Sequence, residues 1–331
     1  MREPRFWWRK AGLLSALLSP LAALYGTIAA RRMTRTGARA GVPVICIGNV
    51  TLGGAGKTPT AIAIAQMLSA AGERVFFLTR GYGGREAGPK RVDASADTAA
   101  DVGDEALLLA RVAPTILARD RVAGAVLARA EGASIIVMDD GLQNGAIEKD
   151  FSLAVIDAQR GIGNGCGFPA GPLRAPLAVQ LARVDALLVV GDGDGGAGVA
   201  ADIGARGRPV WRGRLVPHPE SAGAITRAVL AFAGIGDPDK FFATAEAVGI
   251  TVAARRVFPD HHRFTTEEAA ELLMAADSEA LALLTTEKDR ARMTGDPALA
   301  GLMQRAHVLP VTMQIAESGE LDAALAKVRG R

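Results

Sequence analysis

Residues 48–59, GNVTLGGAGKTP, constrain the fold more than any other stretch of the chain. They follow an apolar run, VPVICI, that reads as a buried strand. They lead into PTAIAIAQMLSAAG, which reads as an amphipathic helix ending at Gly72. Strand, glycine-rich turn and helix N-terminus in that order make a phosphate cradle. Gly53, Gly54 and Gly56, with Ala55 between them, let backbone amides turn toward phosphate oxygens, and the helix adds its positive end. Lys57 can reach β- and γ-phosphates, and Thr58 can place a hydroxyl on Mg²⁺. Thr51 stands where the strict phosphate-loop pattern has its first glycine. The competing reading is an ordinary glycine-rich turn followed by a chance Lys-Thr pair.

Apolar strands and helices alternate beyond this point. RVFFLTRG, ASIIVMDD, FSLAVIDA and ARVDALLVVG read as strands, and DEALLLARVA and RVAGAVLARAEG as helices. The alternation predicts an α/β fold, a parallel sheet with helices on both faces, whose ligands sit at the carboxyl ends of the strands. IIVMDDG ends such a strand in two acids, Asp139 and Asp140, suited to the metal of a bound nucleotide, although a helix N-cap pair has the same look. The GDGDGGAG loop fails the calcium pattern at Gly196 and Ile203 and reads as a solvated loop. Residues 37–208 form the phosphate-loop domain in this reading and 209–228, rich in Pro, Gly and charge, a hinge. Residues 229–331, opening with VLAFAGIG, form a smaller α/β domain.

Of 38 Lys+Arg and 35 Asp+Glu in 331 residues, the first 40 residues hold eight basic side chains and one acid, Glu3. The basic ones are Arg2, Arg5, Arg9, Lys10, Arg31, Arg32, Arg35 and Arg39. The rest of the chain is mildly acidic, so the pI of about 9.1 belongs to one terminal segment and gives no reason to expect a nucleic-acid partner. Between Lys10 and Arg31 lie twenty uncharged residues, long enough as one helix for roughly 30 Å. Three readings stay open for segment 1–36: a helix kinked or broken at Pro20 and lying in an anionic leaflet, a true span, or a buried core helix. The flanking basic clusters favour the first. Two cysteines, Cys46 and Cys166, cannot build a disulfide framework.

The chemistry is narrowed by what surrounds the loop. TTEKD (285–289) is not the [NT]-K-x-D of a guanine reader. DVGDE (101–105) places Asp104 and Glu105 at a helix start, where capping alone would account for them, and FPDHH puts His261 on a polar loop. GNVTLGGAGKTP, RGYGG (80–84), VGDEALLLA, MDDGLQ, PAGPLR, AFAGIG, FPDHH and TTEKD occur in order. Together they resemble the bacterial tetraacyldisaccharide 4'-kinase family over nearly the whole chain.

The resemblance implies a kinase that uses ATP and Mg²⁺ to phosphorylate the 4'-hydroxyl of a tetraacylated glucosamine disaccharide 1-phosphate. The product would be lipid IVA, made at the cytoplasmic face of the bacterial inner membrane among anionic lipids. It implies Asp104 as the base, supported by His261 from the second domain, and Arg174 on the developing phosphoryl charge. Lys57 and Thr58 would hold phosphates and metal, with Asp139, Asp140 and Glu105 on the metal side. Tyr82 is expected at the nucleotide, and Arg119 falls in a matching motif. Two positions depart from the family pattern: Ala175 replaces a glutamate after Arg174, and Asn144 replaces a histidine. Glu105 or Asp140 is expected to take over the role of the missing acid. Two rivals keep the phosphate loop: a membrane-recruited ATPase that powers a partner, and a non-enzymatic nucleotide sensor.

Overall fold

The computed structural model describes residues 3–330, so Arg2 of the basic cluster lies outside the described residues. Among the described residues thirteen strands form two sheets. The large sheet contains β1 (Val44–Gly48), β2 (Val75–Thr79), β3 (Lys90–Arg91), β4 (Thr115–Leu117), β5 (Ile135–Asp139), β6 (Phe151–Asp157), β7 (Ala186–Val190) and β8 (Val210–Pro217). The small sheet contains β9 (Val229–Ala233), β10 (Val252–Val257), β11 (Ala282–Thr285) and β12 (Ala306–Val308). The last strand, β13 (Val311–Ile315), returns to the large sheet.

The large sheet runs β13-β8-β7-β6-β1-β5-β2-β4-β3, parallel throughout except where β13 and β3 pair antiparallel at its two edges. Its central strands are buried at every position because both faces are covered. Val44 and Cys46 point into one core with Ile136 and Met138, while Ile45 and Ile47 point into the other with Ile135 and Val137. β1 and β5 are neighbours in register, Ile47 beside Asp139, so the acid at the end of β5 emerges next to the loop that follows β1. The small sheet, β10-β9-β11-β12, is parallel and is likewise covered on both faces.

Two features differ from the sequence-based expectation. Residues 210–217, expected in a hinge, form β8. Its Pro, Gly and charges belong to a strand near the sheet edge, where Arg212 and Arg214 face solvent while Trp211 is buried. Residues 311–329, expected in the small domain, complete the large one: Met313, Leu321, Leu325 and Val328 join its core.

The N-terminal helix, Leu13–Met33, runs unbroken through Pro20. Proline has no N–H to give the carbonyl of Ala16, and the Ser19 hydroxyl donates to that carbonyl instead, at 2.7 Å. Ser15, Ala22, Gly26 and Met33 lie on the face toward the body. Asn164 Nδ2 donates to Ser15 Oγ at 3.0 Å, and Gly26 packs against Pro176. The opposite face exposes Leu13, Leu14, Leu17, Leu21 and Leu24, with Leu13 at 82% and Leu17 at 73%. This overturns the core-helix reading, because the large side chains point out and the small ones in. By length and composition the helix is able to cross a membrane.

Candidate active site

The phosphate loop is built as its sequence requires. Gly53 and Gly56 hold φ of +100° and +87°, a region side-chain-bearing residues avoid, and Gly56 opens the Lys57–Ala70 helix. The loop is braced by the PAGPLR segment. Leu52 N donates to Pro172 O at 2.8 Å, Arg174 N to Val50 O at 3.0 Å, and Arg174 Nε to Thr51 O at 2.8 Å. Thr51, in place of the first glycine, thus serves the brace through its backbone, while Gly54 and Ala55 complete the loop's turn. Lys57 is buried, with Nζ donating to Gly53 O at 3.3 Å and standing 3.9 Å from Asp140 Oδ1. Burial pulls its pKa below the ordinary lysine range.

The two acids after β5 have different partners. Asp140 pairs with Arg174 Nη1 at 2.6 Å. Burial alone would raise its pKa, but Arg174 and Lys57 hold it below the usual carboxylate range. Asp140 therefore holds one edge of the Arg174 guanidinium. Asp139 accepts from the Thr58 hydroxyl at 3.2 Å through Oδ2, and its Oδ1 is buried with no hydrogen-bond partner among the described residues. Burial, then the nearby charges of Glu105 and Asp140, push its pKa up to about 7. A buried carboxylate oxygen left unmatched beside a hydroxyl and the phosphate cradle fits a divalent cation that completes its shell with phosphates and water.

Glu105 lies near Asp139 and has its own cation. Lys288 from the small-sheet side grips it at 2.7 Å, and Glu105 lines the same cavity as Asp139. Asp104 is 3% exposed. Its Oδ1 lies 3.4 Å from His261 Nδ1, and Arg292 Nε donates to its Oδ2 at 2.8 Å. Burial would raise its pKa, but the hydrogen bond from His261 and the charges of Arg292 and Lys288 take it well below the ordinary value. His261, not Asp104, presents its ring to the central cavity. Asp104 thus lies behind the histidine as seen from the cavity. Tyr82, expected at the nucleotide, stands with its ring 4.9 Å from that of His261, and Arg119 ties down the neighbouring loop by donating to Gly84 O at 3.2 Å.

These groups surround one cavity of ≈1440 Å³, lined by Lys57, Asp139, Arg174 and His261, and at its far side by Tyr25 and Ile28 of the N-terminal helix. Sequence reading missed Lys288 and Arg292. They sit one helical turn apart on the Glu287–Met293 helix, and that i,i+4 spacing opposite two adjacent acids was the one available signal.

The sequence model of the Tetraacyldisaccharide-1-P 4'-kinase family matches residues 14–329. The chain is 55% identical to a tetraacyldisaccharide 4'-kinase of Rhodopseudomonas palustris (strain BisB5), covering 97% of this chain and 95% of that one. It is 54% identical to the enzyme of that name from Nitrobacter winogradskyi, with 99% of each chain covered. In structure it is similar to LpxK from Aquifex aeolicus, solved in complex with ATP: TM-score 0.71 at 23% identity, covering 96% of this chain and 99% of that one, a likeness of fold. The chain belongs to the tetraacyldisaccharide 4'-kinase family.

Proposed function

We propose that this chain transfers the γ-phosphoryl group of ATP to the 4'-hydroxyl of a tetraacylated glucosamine disaccharide 1-phosphate, giving lipid IVA. The observation that carries the reading is the convergence on one cavity of a phosphate loop, a histidine backed by a carboxylate, and an apolar helix face. A nucleotide switch would need the first of these alone.

The amides of residues 53–57 and the Lys57 ammonium bind the phosphates, and Thr58 with Asp139 would hold Mg²⁺. When bound, the ion offsets negative charge on the phosphates. Arg174, aligned by Asp140 and by the Thr51 carbonyl, faces the charge that develops on the transferred group. The acceptor hydroxyl gives its proton to the His261–Asp104 pair. Nδ1 of His261 is held toward Asp104, which leaves Nε2 for the hydroxyl, while Asp104 stays ionised and steadies the charged ring. Ion pairs join the parts of the chain that carry the two sheets: Lys240 with Asp157 at 2.9 Å, Arg160 with Asp237 at 3.1 Å, and Lys288 with Glu105 at 2.7 Å. Hinged closure along these contacts would exclude water from a reaction that water would otherwise win.

The outward leucines and flanking arginines of the N-terminal segment support docking on anionic lipid at the cytoplasmic face of the inner membrane. The test is incubation with γ-labelled ATP, Mg²⁺ and the disaccharide 1-phosphate in mixed micelles. Label in the lipid is expected. Label in free phosphate alone would make the chain an ATPase, and no turnover would make it a sensor.

A further inference from the structure

We infer that Arg292 is a positioning residue for the phosphoryl transfer, fixing the Asp104 carboxylate so that His261 meets the acceptor at one angle. The inference rests on the assignment of His261 and Asp104 as the proton-accepting pair and deepens it.

The guanidinium of Arg292 is 3% exposed and has every edge engaged. Nε and Nη2 both donate to Asp104 Oδ2, and Nη1 donates to Asp289 Oδ1 at 2.8 Å and to the carbonyl of Gly234. A planar fork held at that many points cannot turn without breaking several contacts at once. Its anchor is fixed in turn. The Asp289 carboxylate accepts from the Thr286 hydroxyl at 2.7 Å and from Gly234 N at 3.1 and 3.2 Å. The Gly234 carbonyl also accepts from His261 N at 3.1 Å, and His261 has a φ of +56°. One residue after β9 therefore holds Asp289, Arg292 and His261 together, and Arg292 carries that reference across to Asp104.

A purely structural role explains this poorly. Burying a guanidinium with two carboxylates costs about as much desolvation as its pairing returns, and apolar side chains would fill the space as well. What an apolar residue could not do is hold Oδ2 of Asp104 while leaving Oδ1 for His261 Nδ1. The cation also keeps Asp104 ionised against the effect of burial, so that it can accept from the ring throughout the proton transfer.

The experiment uses the full chain in phospholipid–detergent micelles with labelled ATP and the disaccharide 1-phosphate, comparing Arg292→Lys, Arg292→Ala and Asp104→Asn. Lys keeps the charge but loses the fork. Positioned acid–base groups contribute roughly 10²–10⁴-fold, so we expect kcat to fall about tenfold for Arg292→Lys and about 100-fold for Arg292→Ala. KM for ATP should stay within about twofold, since the fork touches no part of the phosphate loop. Added guanidinium ion should restore part of the Arg292→Ala rate and none of the Asp104→Asn rate. If Arg292→Ala does not fold, the split between kcat and KM in Arg292→Lys decides alone. Full turnover by the Arg292 variants with an inactive Asp104→Asn overturns the inference. So does a rise in KM in step with the loss of kcat and without guanidinium rescue, which would make Arg292 a strut. Full turnover by Asp104→Asn would instead overturn the assignment of the pair.

Discussion

Replacing Asp139 by Asn separates what its carboxylate does for the reaction from what it costs the fold. The side chain is 1% exposed, one oxygen takes the Thr58 hydroxyl, and the other lacks a partner among the described residues. Its pKa moves from 3.8 to about 7, through burial first and then Glu105 and Asp140. In this window the folded chain still holds a proton that the unfolded chain has lost. The stabilising contribution is therefore complete below about pH 4, declines as pH rises, and is gone above about pH 7. At ~1.4 kcal/mol per unit, the whole shift amounts to at most ~4 kcal/mol. Urea unfolding without nucleotide or Mg²⁺, across about pH 4 to 8, should show Asp139→Asn nearly as stable as the parent at the acid end. Near pH 8 the variant should be more stable by up to ~4 kcal/mol. The same variant should lose about 10²-fold or more in turnover if Asp139 holds Mg²⁺ as proposed. A stability gap that stays flat with pH, or a parent more stable than the variant near pH 8, would refute the reasoning.

Other consequences follow from single contacts. Arg174→Lys cannot span Thr51 O and Asp140 at once, so kcat should fall about 100-fold in the labelled-ATP assay while the chain stays folded. Leu17→Asp with Leu24→Asp places two charges on the outward helix face. Sedimentation with anionic vesicles should drop at least tenfold, with binding of a fluorescent ATP analogue unchanged. Ser19→Ala leaves the Ala16 carbonyl without its donor at Pro20, a loss of ~1 kcal/mol. Limited proteolysis within 13–33 should then quicken about fivefold, and an unchanged rate would show that the helix does not depend on that hydroxyl.

How legible each part was in the sequence follows from how far apart its determinants lie. The phosphate loop was readable because its requirement is local: backbone amides must turn, glycines permit it, and a helix must start at once. Asp139 was readable because an apolar strand of a doubly covered sheet delivers its last residue to the same edge. β8 was not, since Arg212, Gly213 and Arg214 resemble linker residues until one knows that the strand lies near an edge with a polar face turned to solvent. β13 was hidden for a related reason: its pairing with β8 spans the entire small sheet in sequence. The partners of Asp104 and Glu105 were hidden most deeply. Arg292 and Lys288 lie more than 180 residues away, and TTEKD drew attention as a failed guanine motif rather than as the start of a cationic helix face. The cation that pairs with Glu105 could not be seen from sequence.

The outward leucine face and the cavity wall belong to the same helix: Tyr25 and Ile28 line the chamber that holds Lys57, while Leu17, Leu21 and Leu24 point away from it. On the proposed membrane docking, enzyme and acceptor would therefore meet by lateral diffusion in two dimensions. The quantity that governs saturation is then the mole fraction of acceptor in the surface. Diluting the acceptor with inert lipid at constant bulk concentration would slow the reaction, whereas diluting the whole suspension with buffer would leave the rate per enzyme nearly unchanged once the enzyme is bound.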